Sequence, residues 1–411
     1  MVTYTRFIKG FKEIFLGLYI LQLLNYVAPI IIIPILIQTI GIDNYGELIY
    51  ITSVYQIICL FIDYGFTYTS PVVAARFRNV YDELQKYYSL ISVLKLILYI
   101  VSFLILNILV FFDVLHLSYY YVASIALCCI GNIVTPLWLF QGLGEFKFLS
   151  GCQIKSRIIL FFLLLIYLFC GGKNLFIISL LQNGYLLACY IFMRKKISTI
   201  QLKHLTMSQT KNEFKKASNV FVGVLGTIGY GGLIPILIGN YCGHISLGIY
   251  SILQKLTTAC QSLISPVSQY MLSEVSVSAQ QEYEFKNKIK KSILIHLLIS
   301  SIACLCYMAL GQFAAKVIGK VDVDFCIVLL ASVITIFSSL NNVLGIQFLI
   351  PTGNESLLRS VNLLSGIIVI LLSKYLIMNY EVLGGVVLNV LGEGVVFMLL
   401  TSIAVKKWGK G

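Results

Sequence analysis

The chain has 411 residues, of which 59% are hydrophobic and only 11% are charged, and its mean hydropathy is +0.91. Soluble domains carry about 25% charged residues, so this composition excludes an ordinary soluble domain and predicts a membrane protein. The formal charge of +13 does not call for a nucleic-acid partner, because lysine and arginine accumulate in the cytoplasmic loops of membrane proteins.

Apolar runs long enough to cross a bilayer recur along the whole chain, and they predict an all-α integral membrane protein with twelve transmembrane helices. The predicted spans are 13–39, 47–73, 88–112, 119–141, 152–171, 174–193, 217–239, 247–272, 292–315, 325–349, 357–378 and 383–405. The first span follows three basic residues and is too long for the core of a signal peptide, so we expect it to act as a signal anchor.

Lysine and arginine are distributed unevenly over the predicted loops. With the N-terminus inside, and with residues near a span end counted with the adjoining loop, 24 of the 30 basic residues fall on the cytoplasmic side, four on the outer side and two within spans. The basic connection at 194–216 separates six spans from six spans. The positive-inside rule therefore predicts that both termini are cytoplasmic.

Two short sequence similarities, called echoes below, relate the first half of the chain to the second half. The segment Pro34-Ile35-Leu36-Ile37 returns as Pro235-Ile236-Leu237-Ile238, with Gly41 after the first copy and Gly239 after the second. The second echo pairs residues 142–145 with residues 351–355. Because each half has an even number of spans, we expect parallel repeats that form two six-helix bundles, residues 1–200 and 201–411.

Four charged residues are predicted to lie within spans, where each costs at least about 2.5–3.5 kcal/mol on insertion scales. They are Asp63, Lys95, Lys255 and Glu393. We interpret Lys95 and Lys255 as substrate-binding residues, and Asp63 and Glu393 as ion-coupling residues. The alternative for each of the four is an internal ion pair that fixes two helices together, and Lys95 also lies near enough to the inner face to snorkel.

Lys255 is the only charge in a polar stripe along the eighth span. The stripe consists of residues spaced three or four apart, which therefore share one helical face: Ser251, Lys255, Thr258, Ser262, Ser265 and Gln269. Such a face is expected to contact protein or a water-filled cavity. Further neutral residues that we predict to bind substrate there are Gln22, Asn25, Gln261 and Asn342. The alternative is that Lys255 snorkels or neutralises an internal carboxylate.

Glu393 is the stronger of the two candidates for ion coupling. It is predicted to lie in the middle of span twelve, between Gly392 and Gly394. A buried carboxylate can take up and release a proton as a cavity opens to either side, which gives a carrier two states with different affinities. The alternative is a static pair between Glu393 and Lys255.

The sequence carries no sign of an enzyme, a metal site or a cofactor. Every predicted outer loop is about ten residues or shorter, which is below the size of a folded core. The four histidines are scattered without ligand spacing. The glycines between 223 and 232 lie within a span, where close helix packing or bending near Pro235 explains them better than phosphate binding.

Five segments, in order over nearly the whole chain, are similar to those of a known transporter family. They are 34–46, 63–66, 138–142, 250–256 and 344–351. These segments resemble the O-antigen flippases (Wzx type), which belong to the multidrug/oligosaccharidyl-lipid/polysaccharide exporter superfamily.

The resemblance implies a V-shaped, alternating-access transporter in the bacterial inner membrane. Its substrate would be an oligosaccharide on undecaprenyl diphosphate, moved from the cytoplasmic to the periplasmic leaflet. By similarity to the related lipid II flippase, cationic residues would hold the diphosphate, and Lys255 stands where such a cation belongs. The implied partners are membrane lipids, a coupled proton or sodium ion, the O-antigen polymerase and a chain-length regulator.

Two other functions remain open from the sequence. A multidrug exporter of the same superfamily is expected to bind cationic drugs through carboxylates and to have no central lysine. An O-antigen polymerase would need a large periplasmic loop with catalytic residues, and none is predicted.

Overall fold

The computed structural model describes residues 2–197, 207–277 and 282–408; side chains are described from Pro29 onwards, apart from a few positions mostly beside the gaps. Every regular element within these ranges is helical. The elements are α1 (Val2–Asp63), α2 (Phe66–Arg76), α3 (Tyr81–Phe111), α4 (Tyr119–Val134), α5 (Leu137–Gly142), α6 (Phe146–Phe169), α7 (Leu175–Asn183), α8 (Tyr185–Ile197), α9 (Met207–Gly231), α10 (Leu233–Val277), α11 (Glu282–Gly319), α12 (Phe325–Asn341), a π-helix (Asn342–Leu349) and α13 (Glu355–Trp408).

The helices account for twelve membrane spans. Eight stretches are long and apolar enough to cross a membrane, and the pair α7–α8, which bends by 47°, makes a ninth. Three of these stretches are interrupted by a residue with non-helical backbone angles, namely Gly41, Gly243 and Glu381. Division at these residues turns nine stretches into twelve in the described parts of the chain. The predicted all-α, twelve-span fold is confirmed.

α6 begins at Phe146, directly after the left-handed turn at Gly144 (φ 74°), six residues before the start predicted for the fifth span. Helices α3 and α11 likewise begin before their predicted spans, at Tyr81 and Glu282. Arg157 consequently lies eleven residues into the helix, where its guanidinium stacks on the ring of Tyr185 at 4.2 Å from the centroid.

The echoes between the two halves correspond to equivalent backbone turns. Gly41 (φ 84°) and Gly243 (φ 81°) break α1 and α10 in the same conformation, so the counterpart of Gly41 is Gly243 and not Gly239. The backbone angles of Gly41 (ψ 165°) and Gly243 (ψ 179°) are open to glycine alone, whereas Gly239 is helical and packs against the ring of Tyr50. Gly144 and Gly353 (φ 70°) likewise turn the chain before α6 and α13.

The chain separates into two compact units. One consists of Met1–Ala28 and Ile51–Phe221, and the other of Pro29–Tyr50 and Val222–Gly411. The division into bundles 1–200 and 201–411 stays a prediction.

The glycines of span seven allow close helix packing in the second unit, as predicted. A Cβ atom on Gly226 would lie 2.5 Å from the backbone of Asn362 in α13, and one on Gly229 would lie 2.7 Å from the Cα of Gly366. Because no side chain fits at these distances, the backbones of α9 and α13 are in direct contact.

Candidate functional site

The polar stripe of the eighth span follows Gly243 along α10. Ser251 is buried, and its hydroxyl lies 3.2 Å from the hydroxyl of Tyr45. Thr258 donates its hydroxyl to the backbone oxygen of Gln254 at 2.7 Å. Both residues are therefore already hydrogen-bonded within the second unit.

Lys255 is the cation of this stripe and has no ion-pair or hydrogen-bond partner among the residues described. Its side chain is partly buried. It follows Gly243 by twelve residues, about 18 Å along the helix axis, and α10 continues to Val277. Lys255 is thus far from both ends of the helix, and the static pair with Glu393 does not occur in this structure.

A cavity of about 360 Å³ lies between α10 and the end of α12. α10 contributes Gln261, Ser265, Ser268 and Gln269 to its wall. The opposite side is formed by Ser338 and Ser339 of α12 and by Asn342 of the π-helix. Two residues predicted to bind substrate, Gln261 and Asn342, therefore line the same cavity.

A buried polar network supports this cavity from behind. Nδ1 of His296 lies 2.8 Å from a backbone carbonyl one turn earlier and so carries the proton, and Nε2 accepts from the hydroxyl of Ser268 at 2.8 Å. Gln347 donates to Oδ1 of Asn342 at 3.4 Å, and Ser339 donates to the backbone oxygen of His296 at 3.5 Å. His296 and Gln347 are fully buried. The network fixes three polar residues of the cavity wall.

Glu393 lies in the second half of α13 and is bound by Asn341, the last residue of α12. Nδ2 of Asn341 is 2.6 Å from the carboxylate and 2.9 Å from the backbone oxygen of Glu393. Oδ1 of Asn341 is buried and has no partner in the described part of the chain. A carboxylate beside an unsatisfied amide oxygen can hold a proton or a small cation, since either would satisfy that oxygen.

The two intramembrane charges of the first unit are paired. Nζ of Lys95 lies 2.7 Å from Oδ1 of Asp63, and their side chains are 5% and 29% exposed. Asn132 of α4 completes the cluster, since its Oδ1 is 3.0 Å from Lys95 and its Nδ2 is 3.2 Å from Asp63. This is the ion pair given above as the alternative. The roles of Lys95 in substrate binding and of Asp63 in ion coupling stay predictions.

The remaining predicted residues, Gln22 and Asn25, belong to α1 but lie outside the residues whose side chains are described. Sequence reasoning missed His296, Gln347 and Asn341. The signal that could have found them is a polar side chain inside an apolar span, because such a group needs a partner in the membrane. The spacing of histidines, which indicates metal ligands, does not reveal such polar residues.

The fold defines the class of the protein. The lipid II flippase MurJ in its inward closed conformation has a TM-score of 0.71 and 13% identity, with 96% of this chain and 87% of that chain covered. An inward-facing multidrug resistance MATE family transporter of the MOP superfamily has a TM-score of 0.64 and 9% identity, with 90% and 92% covered. The chain therefore has the fold of these membrane transporters.

Within that class, the sequence identifies the family. The profile of the polysaccharide biosynthesis protein family matches residues 14–272, and the chain belongs to this family. A candidate O-antigen transporter of Escherichia coli (strain K12) is 22% identical over 400 residues, which cover 93% of this chain and 94% of that protein. A candidate O-antigen transporter of Shigella dysenteriae is 24% identical over 407 residues, which cover 96% and 100%.

Proposed function

We propose that this protein is a flippase that moves undecaprenyl-diphosphate-linked O-antigen repeat units from the cytoplasmic to the periplasmic leaflet by alternating access. The observation that carries the proposal is Lys255, a cation on a membrane-spanning helix of the second unit that has no counter-ion among the described residues. The family and the two O-antigen transporter relatives support the substrate class. On this proposal the protein is a transporter and not an enzyme.

Lys255 binds the diphosphate of the substrate. An ammonium held inside a membrane without a counter-charge is unfavourable, and an anionic ligand removes that cost while it is bound. Charge-assisted hydrogen bonds to phosphate oxygens are among the strong ones, and lysine forms them as a compact point charge. The hydroxyls of Ser251 and Thr258 are already used within the protein, so their part is to shape the helix face around the cation.

Glu393 couples transport to a proton or sodium gradient. The carboxylate of Glu393 lies beside Oδ1 of Asn341, which has no hydrogen-bond partner in the described part of the chain. A proton or cation bound by the carboxylate would give that oxygen a partner. Binding of this kind biases one of two conformations only if the site differs between them, which the flanking Gly392 and Gly394 permit by leaving room for helix movement. Asp63 is the second candidate, although its carboxylate must first leave Lys95.

On this proposal the protein lies in the bacterial inner membrane, with both termini in the cytoplasm. Membrane lipids surround the protein, and the O-antigen polymerase and chain-length regulator act on its product. The excess of basic residues in the loops assigned to the cytoplasm supports this orientation.

Replacement of Lys255 tests the proposal. In a strain that lacks the transporter, Lys255→Ala should abolish surface O-antigen while the protein reaches the membrane at normal levels. Lys255→Arg should retain part of the activity, because it keeps the charge but not the geometry. The matched control is Lys374→Ala, which removes an exposed lysine of α13 and should be neutral. Full activity of the Lys255→Ala variant would exclude a role in binding the diphosphate.

Replacement of Glu393 tests the coupling. In reconstituted vesicles, Glu393→Gln should insert normally but lose the dependence of transport on an imposed proton or sodium gradient. Glu355→Gln, at the exposed start of the same helix, is the control. Unaltered gradient dependence of the Glu393→Gln variant would show that coupling occurs elsewhere.

The multidrug-exporter alternative rests on fold likeness alone. An unpaired lysine repels cationic drugs, so expression in a drug-sensitive strain should leave its resistance to ethidium unchanged. A rise in resistance would favour the exporter.

A further inference from the structure

The cavity between α10 and the end of α12 has a polar but uncharged wall. Seven of its ten lining residues carry hydroxyl or amide groups, and none carries a charge. The other three are Ile264, Leu272 and Ile346. Such a wall compensates neither a phosphate nor a cationic drug. It matches a neutral ligand that both donates and accepts hydrogen bonds and also has small apolar surfaces.

Several of these polar groups are available to a ligand. Gln261 and the hydroxyl of Ser338 have no hydrogen-bond partner within the described ranges, and Asn342 uses only its oxygen, which accepts from Gln347. Unpaired amides and hydroxyls in a membrane-spanning region are unfavourable unless water or a polar ligand satisfies them. Their concentration in one cavity indicates a binding site.

The cavity wall is held in place before any ligand arrives. His296 fixes Ser268, and Gln347 fixes Asn342 at the start of the π-helix. π-helical turns occur frequently at functional sites, and here the wider turn carries Asn342 and Ile346 into the cavity wall. A wall ordered in advance reduces the entropy lost on binding.

The position of the cavity suits the part of a substrate that lies beyond a diphosphate. Ser265 follows Lys255 by ten residues, about 15 Å along the helix axis, whereas the outward side of the same stretch carries the exposed Leu263 and Tyr270. A ligand that contacts both Lys255 and the cavity must be extended, with a charged and a neutral part. The cavity volume of about 360 Å³ is at the low end for small-molecule sites, so it accepts one or two sugar rings and not a whole repeat unit.

We propose that this cavity is a subsite for a neutral sugar of the lipid-linked substrate, with Gln261, Ser338 and Asn342 as its hydrogen-bonding residues. The inference rests on the proposed function and adds specificity to it. Lys255 binds the charge common to all diphosphate lipids, and the cavity distinguishes their sugars. A site built to hydrogen-bond hydroxyl groups rejects ligands that lack them, because its own buried polar groups would be left unpaired.

Equilibrium binding to the purified full-length protein in detergent tests the subsite. The probes are undecaprenyl diphosphate and the lipid-linked repeat unit extracted from membranes of the strain that encodes the protein. The test variant is Gln261→Leu with Ser338→Ala, whose side chains have no partners to lose and which should therefore fold. The control is Gln153→Leu, which removes an amide from the other unit. Lys255→Gln is the comparison for the phosphate contact.

The wild-type protein should bind the sugar-bearing lipid about tenfold more tightly than the sugar-free lipid, as one or two net hydrogen bonds imply. The Gln261→Leu, Ser338→Ala variant should bring this ratio close to one and leave the affinity for undecaprenyl diphosphate unchanged. Lys255→Gln should weaken binding of both lipids.

Two results would overturn the subsite while the proposed function stands. One is a sugar preference that persists in the Gln261→Leu, Ser338→Ala variant, and the other is an equal loss of affinity for both lipids in that variant. Failure of the wild-type protein to bind either lipid would instead refute the proposed function, and the subsite with it.

Discussion

Separate removal of Lys95 and Asp63 should destabilise the first unit unequally. Their attraction at 2.7 Å amounts to about 6 kcal/mol at an effective dielectric constant of 20, and desolvation offsets much of it. Asp63→Asn leaves an ammonium that is 5% exposed and has only amide oxygens, without a counter-charge, in the cluster, so the cost should approach the ~3–5 kcal/mol of a broken buried pair. Lys95→Met leaves a carboxylate that is 29% exposed and still bound by Asn132, so about half that loss is expected.

The assay is denaturant unfolding of the purified protein in mixed micelles, arranged as a double-mutant cycle. The Lys95→Met, Asp63→Asn double variant should be more stable than the Asp63→Asn variant, because no uncompensated charge remains. A loss from Lys95→Met as large as that from Asp63→Asn would refute this reasoning. Transport then separates the two interpretations of Lys95. Restored transport in the double variant would mean that the pair is structural, and absent transport from a folded double variant would mean that at least one of the two charges serves transport itself.

Three further predictions address the packing, the cavity wall and the topology. Gly226→Ala should cost about 1–3 kcal/mol of stability, because its Cβ would lie 2.5 Å from the backbone of α13, whereas Gly231→Ala, with open space around it, should cost less; thermal unfolding in detergent compares the two. His296→Leu should lower the unfolding free energy by about 1–3 kcal/mol, since it leaves the hydroxyl of Ser268 without its partner, and an unchanged midpoint in the same assay would contradict this. Reporter fusions at residues 204 and 320 should report the cytoplasm and the periplasm, respectively, and a periplasmic signal at 204 would overturn the topology.

The number and type of elements were predictable because the bilayer imposes a length and a polarity on every span. Two of the three breaks in the long helices were partly visible, since the backbone angles at Gly41 and Gly243 require glycine, whereas the break at Glu381 carries no such signal. The sequence nevertheless offered both Gly239 and Gly243 near the second break, and only the backbone distinguishes them. Helices α3, α6 and α11 begin several residues before their predicted spans, because hydropathy detects only the apolar part of a helix.

The candidate site was less predictable because partners are a property of tertiary structure. An isolated charge in a span indicates either a ligand site or an ion pair. The residues around Lys95 and those around Lys255 are of the same kind in the sequence, so the sequence does not distinguish the two cases. The structure finds a partner for Lys95 and none for Lys255 among the described residues. His296 and Gln347 lie about 50 residues apart, so no local spacing could have related them.

The assignment of Pro29–Tyr50 to the second unit has a consequence for biosynthesis. Tyr45 meets Ser251 and Tyr50 meets Asn240 across 206 and 190 residues of chain, so these segments enter the membrane long before their partners exist. At about 5–20 residues per second, the ribosome needs roughly 10–40 s to supply the missing helix. During that interval Ser251 and Asn240 are not yet available to the two tyrosines, so the segment Pro29–Tyr50 must be sheltered by the insertion machinery or by neighbouring helices. A nascent chain stalled before residue 233 should therefore crosslink to insertase components through this segment, and a completed chain should not.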